Sequence, residues 1–393
     1  MRTVLLAALL AACGAEEEAL PDRAAPNWIA NPSVESGDGT PAGWTFLADD
    51  GVDAHAVWTT GDAADGARSL RVEVAAGSGP GHARWWFDPV ELPGGRFYEY
   101  ADLHRSYGRG RLVWSCEREG ARRFQAAWQS HPAPSWERTS FRFYVPESCA
   151  VTVMHLLDEP GWLETDAHEL REAAPAPLAR PLISFAFDDG YASAASIVAP
   201  ALEARGMRGS FYVPSEWIGA EGRLAAADLH ALVAAGHEIA SHGASHRPLP
   251  EVPARELRDE IDGSLRQLAP FGASGGLAYP FGEFDEVVES YARSRARYLR
   301  TSLQGPNDAT ADRARIRIHP VTAESTTGSL LAAVDDAERT STWLVLLFHD
   351  LGEPSGGDPY STDRGQFETV LDHVASRGIT VLPVVEALDE AVP

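Results

Sequence analysis

The chain has 393 residues, 44% apolar and 23% charged, enough for two or three soluble domains with full cores. Its formal net charge of −24 argues against nucleic acid as a partner, since binding a polyanion needs a basic stripe. It names no cationic partner, because acidic surfaces commonly serve solubility, and every basic residue apart from histidine is arginine.

The N-terminus reads as an address. Arg2 precedes an apolar run over residues 4–12, too short to span a bilayer but suited to a secretory leader. Leu10-Ala11-Ala12-Cys13 has the small-residue pattern of a lipobox, so Cys13 is expected to carry a lipid that anchors the exported chain to the cell envelope, at the outer membrane or cell surface. Glu16, Glu17 and Glu18 with the Ala and Pro that follow read as a tether, giving a leader and tether over 1–26. The other cysteines, Cys116 and Cys149, fall in one predicted β-region and are read as a disulfide or two buried thiols.

Residues 27–170 predict an all-β domain. Leu70, Val72 and Val74 alternate with Arg71 and Glu73, and Phe141, Phe143 and Val145 with Arg142 and Tyr144, the period of half-buried strands. Gly-rich turns separate the runs, which suggests a β-sandwich. Nine of the eleven tryptophans lie here, either as core residues or as faces on which sugar rings stack. Asn31-Pro32-Ser33-Val34-Glu35, Pro41-Ala42-Gly43-Trp44 and the run from Gly66 to Val72 together resemble the jelly-roll carbohydrate-binding modules of the galactose-binding-like superfamily. That resemblance implies a sandwich that binds glycan or serves as a spacer. An Ala/Pro-rich linker is expected over 171–180.

From 181 to 393 the pattern becomes strand then helix, repeated. Strands are predicted at 182–187, 209–213, 237–241, 276–279, 298–302, 316–321, 343–348 and 379–385. Helices are predicted at 192–205, 225–235, 253–268, 328–339 and 366–377. Such alternation gives a parallel sheet wrapped by helices, closed or nearly closed into a barrel. Four polar groups follow four of these strands: Asp188 and Asp189, His242 and His246, Pro280-Phe281-Gly282, and His349-Asp350. Alone, each is as well explained by a turn or a solvated pair. In a parallel barrel, however, the strand C-termini share one face, so groups distant in sequence converge there. Two imidazoles and a carboxylate make a metal site with open positions, a second carboxylate can take a proton from water, and a further His can protonate a leaving amine.

With these motifs the second half resembles the polysaccharide deacetylases of carbohydrate esterase family 4, whose fold is a distorted parallel α/β barrel. Ala186-Phe187-Asp188-Asp189-Gly190 matches that family's Thr-Phe-Asp-Asp-Gly motif, His242-Gly243-Ala244-Ser245-His246 its His-x-x-x-His motif, and Leu346-Leu347-Phe348-His349-Asp350 the motif bearing its catalytic acid. The resemblance implies Asp188 as general base, Asp189, His242 and His246 as ligands of one divalent metal (Zn, with Co or Ni as alternatives), His349 as acid, and Phe281 as donor of an oxyanion N–H. It implies an acetylated polysaccharide as substrate, losing N-acetyl groups as acetate. Two positions depart from the pattern: Ala278 stands where the family has an Arg that orients the base, leaving Arg300, Arg315 or Arg317 as substitutes, and Gly243 replaces a common Ser or Thr. Competing readings are O-acetyl ester hydrolysis on a xylan-type glycan, C–N hydrolysis on a cyclic amide, and a non-catalytic glycan-binding lipoprotein. The sequence leaves the polymer and the oligomeric state open.

Overall fold

The structure is a computed structural model that describes residues 25–130, 132–352 and 359–392. The leader, tether and lipobox lie outside the described residues. The chain divides into two compact units, one of Met1–Leu92, Arg96–Phe143 and Cys149–Ala173, the other built mainly on Ala174–Pro393.

The first unit holds two large antiparallel sheets, besides a two-stranded ribbon of Gly37–Asp38 and Thr40–Pro41. One runs Ala121–Ser130, Gly110–Arg118, Cys149–Leu157, Ala83–Phe87 and Trp44–Ala48, with Val90–Leu92 added beside Cys149–Leu157. The other runs Glu137–Val145, Arg96–Tyr107, Gly161–Ala173, Arg68–Val74 and Ala54–Thr60. Leu70, Val72 and Val74 point inward as their alternation predicts, while Arg71 and Glu73 pair with each other at 2.7 Å. Cys116 and Cys149 form a disulfide between neighbouring strands. The last strand continues through Ala173, three residues into the stretch expected as linker.

The second unit contains a closed barrel of seven parallel strands: Leu182–Phe187, Ser210–Val213, Glu238–Ser241, Leu277–Ala278, Leu299–Gln304, Ile316–Pro320 and Trp343–Phe348. Closure comes from Leu182–Phe187, which pairs with Trp343–Phe348 on one side and Ser210–Val213 on the other. Leu182–Phe187 and Trp343–Phe348 are buried at every position, because each is covered on both faces. Phe185, Phe187, Phe348 and Phe367 pack ring against ring under the helices, with centroids 5.2–6.4 Å apart.

Several helices depart from the sequence expectation, among them that over 192–205, which forms as a π-turn at Ala194–Val198 followed by Ala199–Glu203. Strand 379–385 shrinks to Thr380–Val381, and Pro383 opens a helix, Val384–Ala391, that buries Val384, Ala387, Leu388 and Ala391 at helical spacing. Glu286–Arg293 is helical where no element was expected. It is capped by Asp285, whose carboxylate accepts from the Val288 N–H at 2.8 Å, and its buried apolar stripe is only Val288 and Ala292. The helix expected over 253–268 forms as Ala254–Arg258 and Ser264–Leu268 joined through a π-turn at Asp259–Gly263.

Candidate active site

The predicted site residues sit where the barrel strands end. Asp188 and Asp189 follow Leu182–Phe187, His242 and His246 follow Glu238–Ser241, Phe281 follows Leu277–Ala278, and His349 follows Trp343–Phe348. Three residues here leave ordinary backbone space: Asp189 at φ 68°, His246 at φ 61° and Phe281 at φ 59°. Non-glycine residues in the left-handed region cost stability, and three of them gather at this one barrel face.

Asp189, His242 and His246 each bring a ligand-capable atom to within 4.8 Å of the others. Oδ1 of Asp189 lies 3.2 Å from Nε2 of His246 and 3.6 Å from Nε2 of His242. That oxygen is buried without a hydrogen-bond partner. His242 uses Nδ1 on the carbonyl of Ala278 at 3.0 Å, which puts its proton there and leaves the Nε2 lone pair facing Asp189. Burial pushes the His242 imidazole down to about 4, so it is neutral near pH 7. Burial works to raise the Asp189 carboxyl, but the imidazoles of His246, His242 and His349 outweigh it and hold the group at about 2. An orphaned buried carboxylate oxygen 3.2 and 3.6 Å from two imidazole nitrogens fits a divalent cation that takes nitrogen and oxygen ligands, such as Zn, Co or Ni.

Asp188 is held separately. Its carboxylate is buried, with both oxygens 2.6 Å from Nη2 of Arg300 and Oδ2 3.5 Å from Nε2 of His242. Arg300, itself only 1% exposed, lies over the Tyr212 ring at 4.8 Å. Of the three arginines left open by the sequence, this one reaches Asp188, whereas Arg315 pairs with Glu289 at 2.8 Å. Arg300 is the strand partner of Ala278, so the guanidinium comes from the position beside the missing Arg.

Several contributors were not legible as such in the sequence. Glu260, buried in the π-turn, accepts from the N–H groups of Ala244 and Ser245 at 3.0 Å and from the Ser245 hydroxyl, so it clamps the loop between the two histidines. A π-turn in a helix beside a site was the available signal only in the fold, not the sequence. Arg223 donates to the Asp189 carbonyl at 3.0 Å and stacks on Tyr191 and Trp217, at 3.9 and 4.5 Å from their centroids. Trp217 and Phe281 flank the His246 ring at 5.1 and 4.5 Å, and Phe281 is 60% exposed, so both offer apolar surface beside the ligands. His349 stacks at 4.7 Å on Tyr360, and its buried Nδ1 has no hydrogen-bond partner. Next to it, Asp350 is fixed by the Ser193 hydroxyl at 2.6 Å.

Residues 176–297 match the family model described as polysaccharide deacetylase. The match includes Asp188, Asp189, His242, His246 and Phe281 and ends before Arg300 and His349. Among solved structures, the chain is similar to the Xyl-CE4 domain of a multidomain xylanase from the hindgut metagenome of Trinervitermes trinervoides, at 18% identity and a TM-score of 0.38, over 54% of this chain and 91% of that one. It is similar to a family 4 carbohydrate esterase from Streptomyces lividans in complex with acetate, at 16% identity and a TM-score of 0.38, over 51% and 91%. It is also similar to the peptidoglycan deacetylase PdaC from Bacillus subtilis, at 14% identity and a TM-score of 0.37, over 54% and 92%. No curated protein matches the chain.

Proposed function

We propose, from the match of residues 176–297 to the polysaccharide deacetylase model, that the chain is such a deacetylase and uses one divalent cation, Zn in the first instance, to hydrolyse N-acetyl groups on an amino-sugar polysaccharide of the cell envelope. The observation that carries this reading is the convergence of Asp189, His242 and His246 beside a second, separately held carboxylate, Asp188.

The three ligand residues would hold the cation, which supplies a Lewis acid that makes water more acidic and an acyl carbonyl more electrophilic. Asp188, oriented by Arg300, takes a proton as water oxygen bonds to the acetyl carbon. The N–H of Phe281 would stabilise charge on the former carbonyl oxygen. His349 gives a proton to the nitrogen as the C–N bond breaks, since an amine leaves poorly unless protonated. The products are acetate and a free amino sugar. Trp217 and Phe281 offer faces on which a sugar ring can lie.

Acetate release from a panel of N-acetylated and O-acetylated glycans tests the reading. Faster turnover of N-acetylated amino-sugar polymers is expected. Turnover of acetylated xylan alone would replace it with ester hydrolysis, and no release from any glycan would leave a binding protein.

The same reading places the chain outside the cytoplasm, anchored through lipid on Cys13. The intact mass of the exported protein decides that placement, since a mature chain without acyl mass on Cys13 contradicts it.

A further inference from the structure

A second cluster of ligand-capable side chains lies in the sandwich. Strand Arg96–Tyr107 turns its polar side into the core: Tyr100, Asp102, His104 and Ser106 are buried, while Leu103 is only half-buried. Its alternation does not by itself choose a core face, because Glu99 and Arg105 share the side of Leu103 while Asp102 and His104 occupy the other. Burying Asp and His this way is costly unless they are satisfied. His155 meets them from Cys149–Leu157, a strand of the other sheet.

Asp102, His104 and His155 are 1%, 5% and 4% exposed, and their ligand-capable atoms lie within 4.8 Å of one another. Nδ1 of His155 hydrogen-bonds Oδ2 of Asp102 at 3.0 Å, and Nδ1 of His104 is 3.9 Å from Oδ1. Donor atoms around a tetrahedral Zn, bound at roughly 2.0–2.2 Å, sit about 3.4 Å apart, between these two separations. Oδ1 of Asp102 and Nδ1 of His104 have no hydrogen-bond partner. Buried polar atoms are rarely left unsatisfied, and here an acceptor and a ring nitrogen that lack partners face each other.

The surrounding contacts hold these rings as outer contacts hold metal ligands. The Tyr100 hydroxyl donates to Oδ2 of Asp102 at 3.1 Å and meets Nδ1 of His168 at 2.9 Å, and His104 hydrogen-bonds the backbone of Glu137. His168 sits where the strand register jumps between Asp166 and Glu169, next to Ala167 at φ 51°. It is buried with Nε2 unpartnered and is available as a further donor.

We propose that Asp102, His104 and His155 form a second metal site, structural rather than catalytic, that takes Zn²⁺ and ties the two sheets of the sandwich together. Its closed position between the sheets leaves no room for substrate, and its energy goes to folding.

The test is Zn²⁺ stoichiometry of the full chain, measured after loading with Zn²⁺ and dialysis. The native chain should hold two equivalents, one for each of the two ligand groups. A chain with His242→Ala and His246→Ala should keep about one equivalent, and Zn²⁺ should raise the midpoint of its sandwich unfolding, read by Trp fluorescence. His104→Gln in the native background should lose about one equivalent while acetate release persists, which separates this site from the barrel's. One equivalent at most in the native chain, together with none in the double His variant, would overturn the proposal and leave a metal-free polar cluster. So would retention of two equivalents by folded His104→Gln.

Discussion

Replacing Arg300 isolates the Asp188 carboxylate without touching the ligand set. Nη2 lies 2.6 Å from both carboxylate oxygens, and both side chains are buried. Unit charges about 4 Å apart attract by about 4 kcal/mol at an effective dielectric near 20. After desolvation, hydrogen bonds to charged groups retain about 1.5–3 kcal/mol. If that energy holds Asp188 in its catalytic position, kcat/KM for acetate release should fall roughly 10–100-fold in Arg300→Met, at about 1.36 kcal/mol per decade. The fall should appear mostly in kcat, with metal content unchanged. Ala278 is the strand partner of Arg300, so adding Ala278→Arg to Arg300→Ala should return part of the loss by supplying a guanidinium from the adjacent position. Ala278→Arg alone should impair the enzyme, because it adds a second buried cation and overpacks a filled core by about 1–3 kcal/mol. Steady-state acetate release, with metal analysis of each variant, reads all three. An Arg300→Met chain that is folded, metal-loaded and within about threefold of the native kcat/KM would refute the positioning role.

His349→Ala should slow amide substrates far more than activated esters, whose leaving groups need no proton; equal losses on both would remove His349 from the acid role. Trp162→Ala should raise KM on long polymer and leave short oligomers unaffected if the groove of His55, Arg71, Glu73 and Trp162 grips glycan, whereas unchanged kinetics on both would make the sandwich a spacer. Nδ1 of His237 accepts from the Gly209 N–H at 3.0 Å, and burial, partly offset by Glu203, lowers the imidazole's pKa. The folded ring thus stays neutral while the unfolded chain protonates near pH 6.5, so this stability is present above about pH 6.5 and lost as pH falls. The urea midpoint should drop less between about pH 7 and 5 in His237→Gln than in the native chain, and an equal drop would exclude His237 as a source.

The barrel was legible because its signals are local. Fully apolar runs such as Trp343–Phe348 end at polar residues, and glycines such as Gly206 and Gly378 close the helices that follow. The candidate site could be read because each polar group directly follows a predicted strand, though that before His242 is Glu238-Ile239-Ala240-Ser241 rather than fully apolar. Arg300 could not be chosen from Arg315 and Arg317, since the choice depends on pairing between Leu277–Ala278 and Leu299–Gln304, a tertiary fact. Glu260 looks like any acid on a helix until the π-turn carries it inward. Val384 and Val385 were read as the end of a strand because the apolar run from Ile379 also suits a buried strand, although Pro383 marks a helix start. The sandwich cluster was hidden by a strand with charged residues on both faces, and the clustered tryptophans gave no sign that arginines stack on them, as Arg71 does on Trp162 and Arg122 on Trp86.

The central claim is that the barrel is a deacetylase whose chemistry needs a cation on Asp189, His242 and His246, with Asp188 as a separate base. Acetate release from an N-acetylated amino-sugar polymer, measured on the chelated chain, the Zn-refilled chain and Asp188→Asn, tests it most directly. The account predicts that chelation abolishes release, that Zn²⁺ restores it, and that Asp188→Asn holds the barrel metal yet stays inactive. Undiminished release from metal-free protein, or native rates from Asp188→Asn, would contradict it.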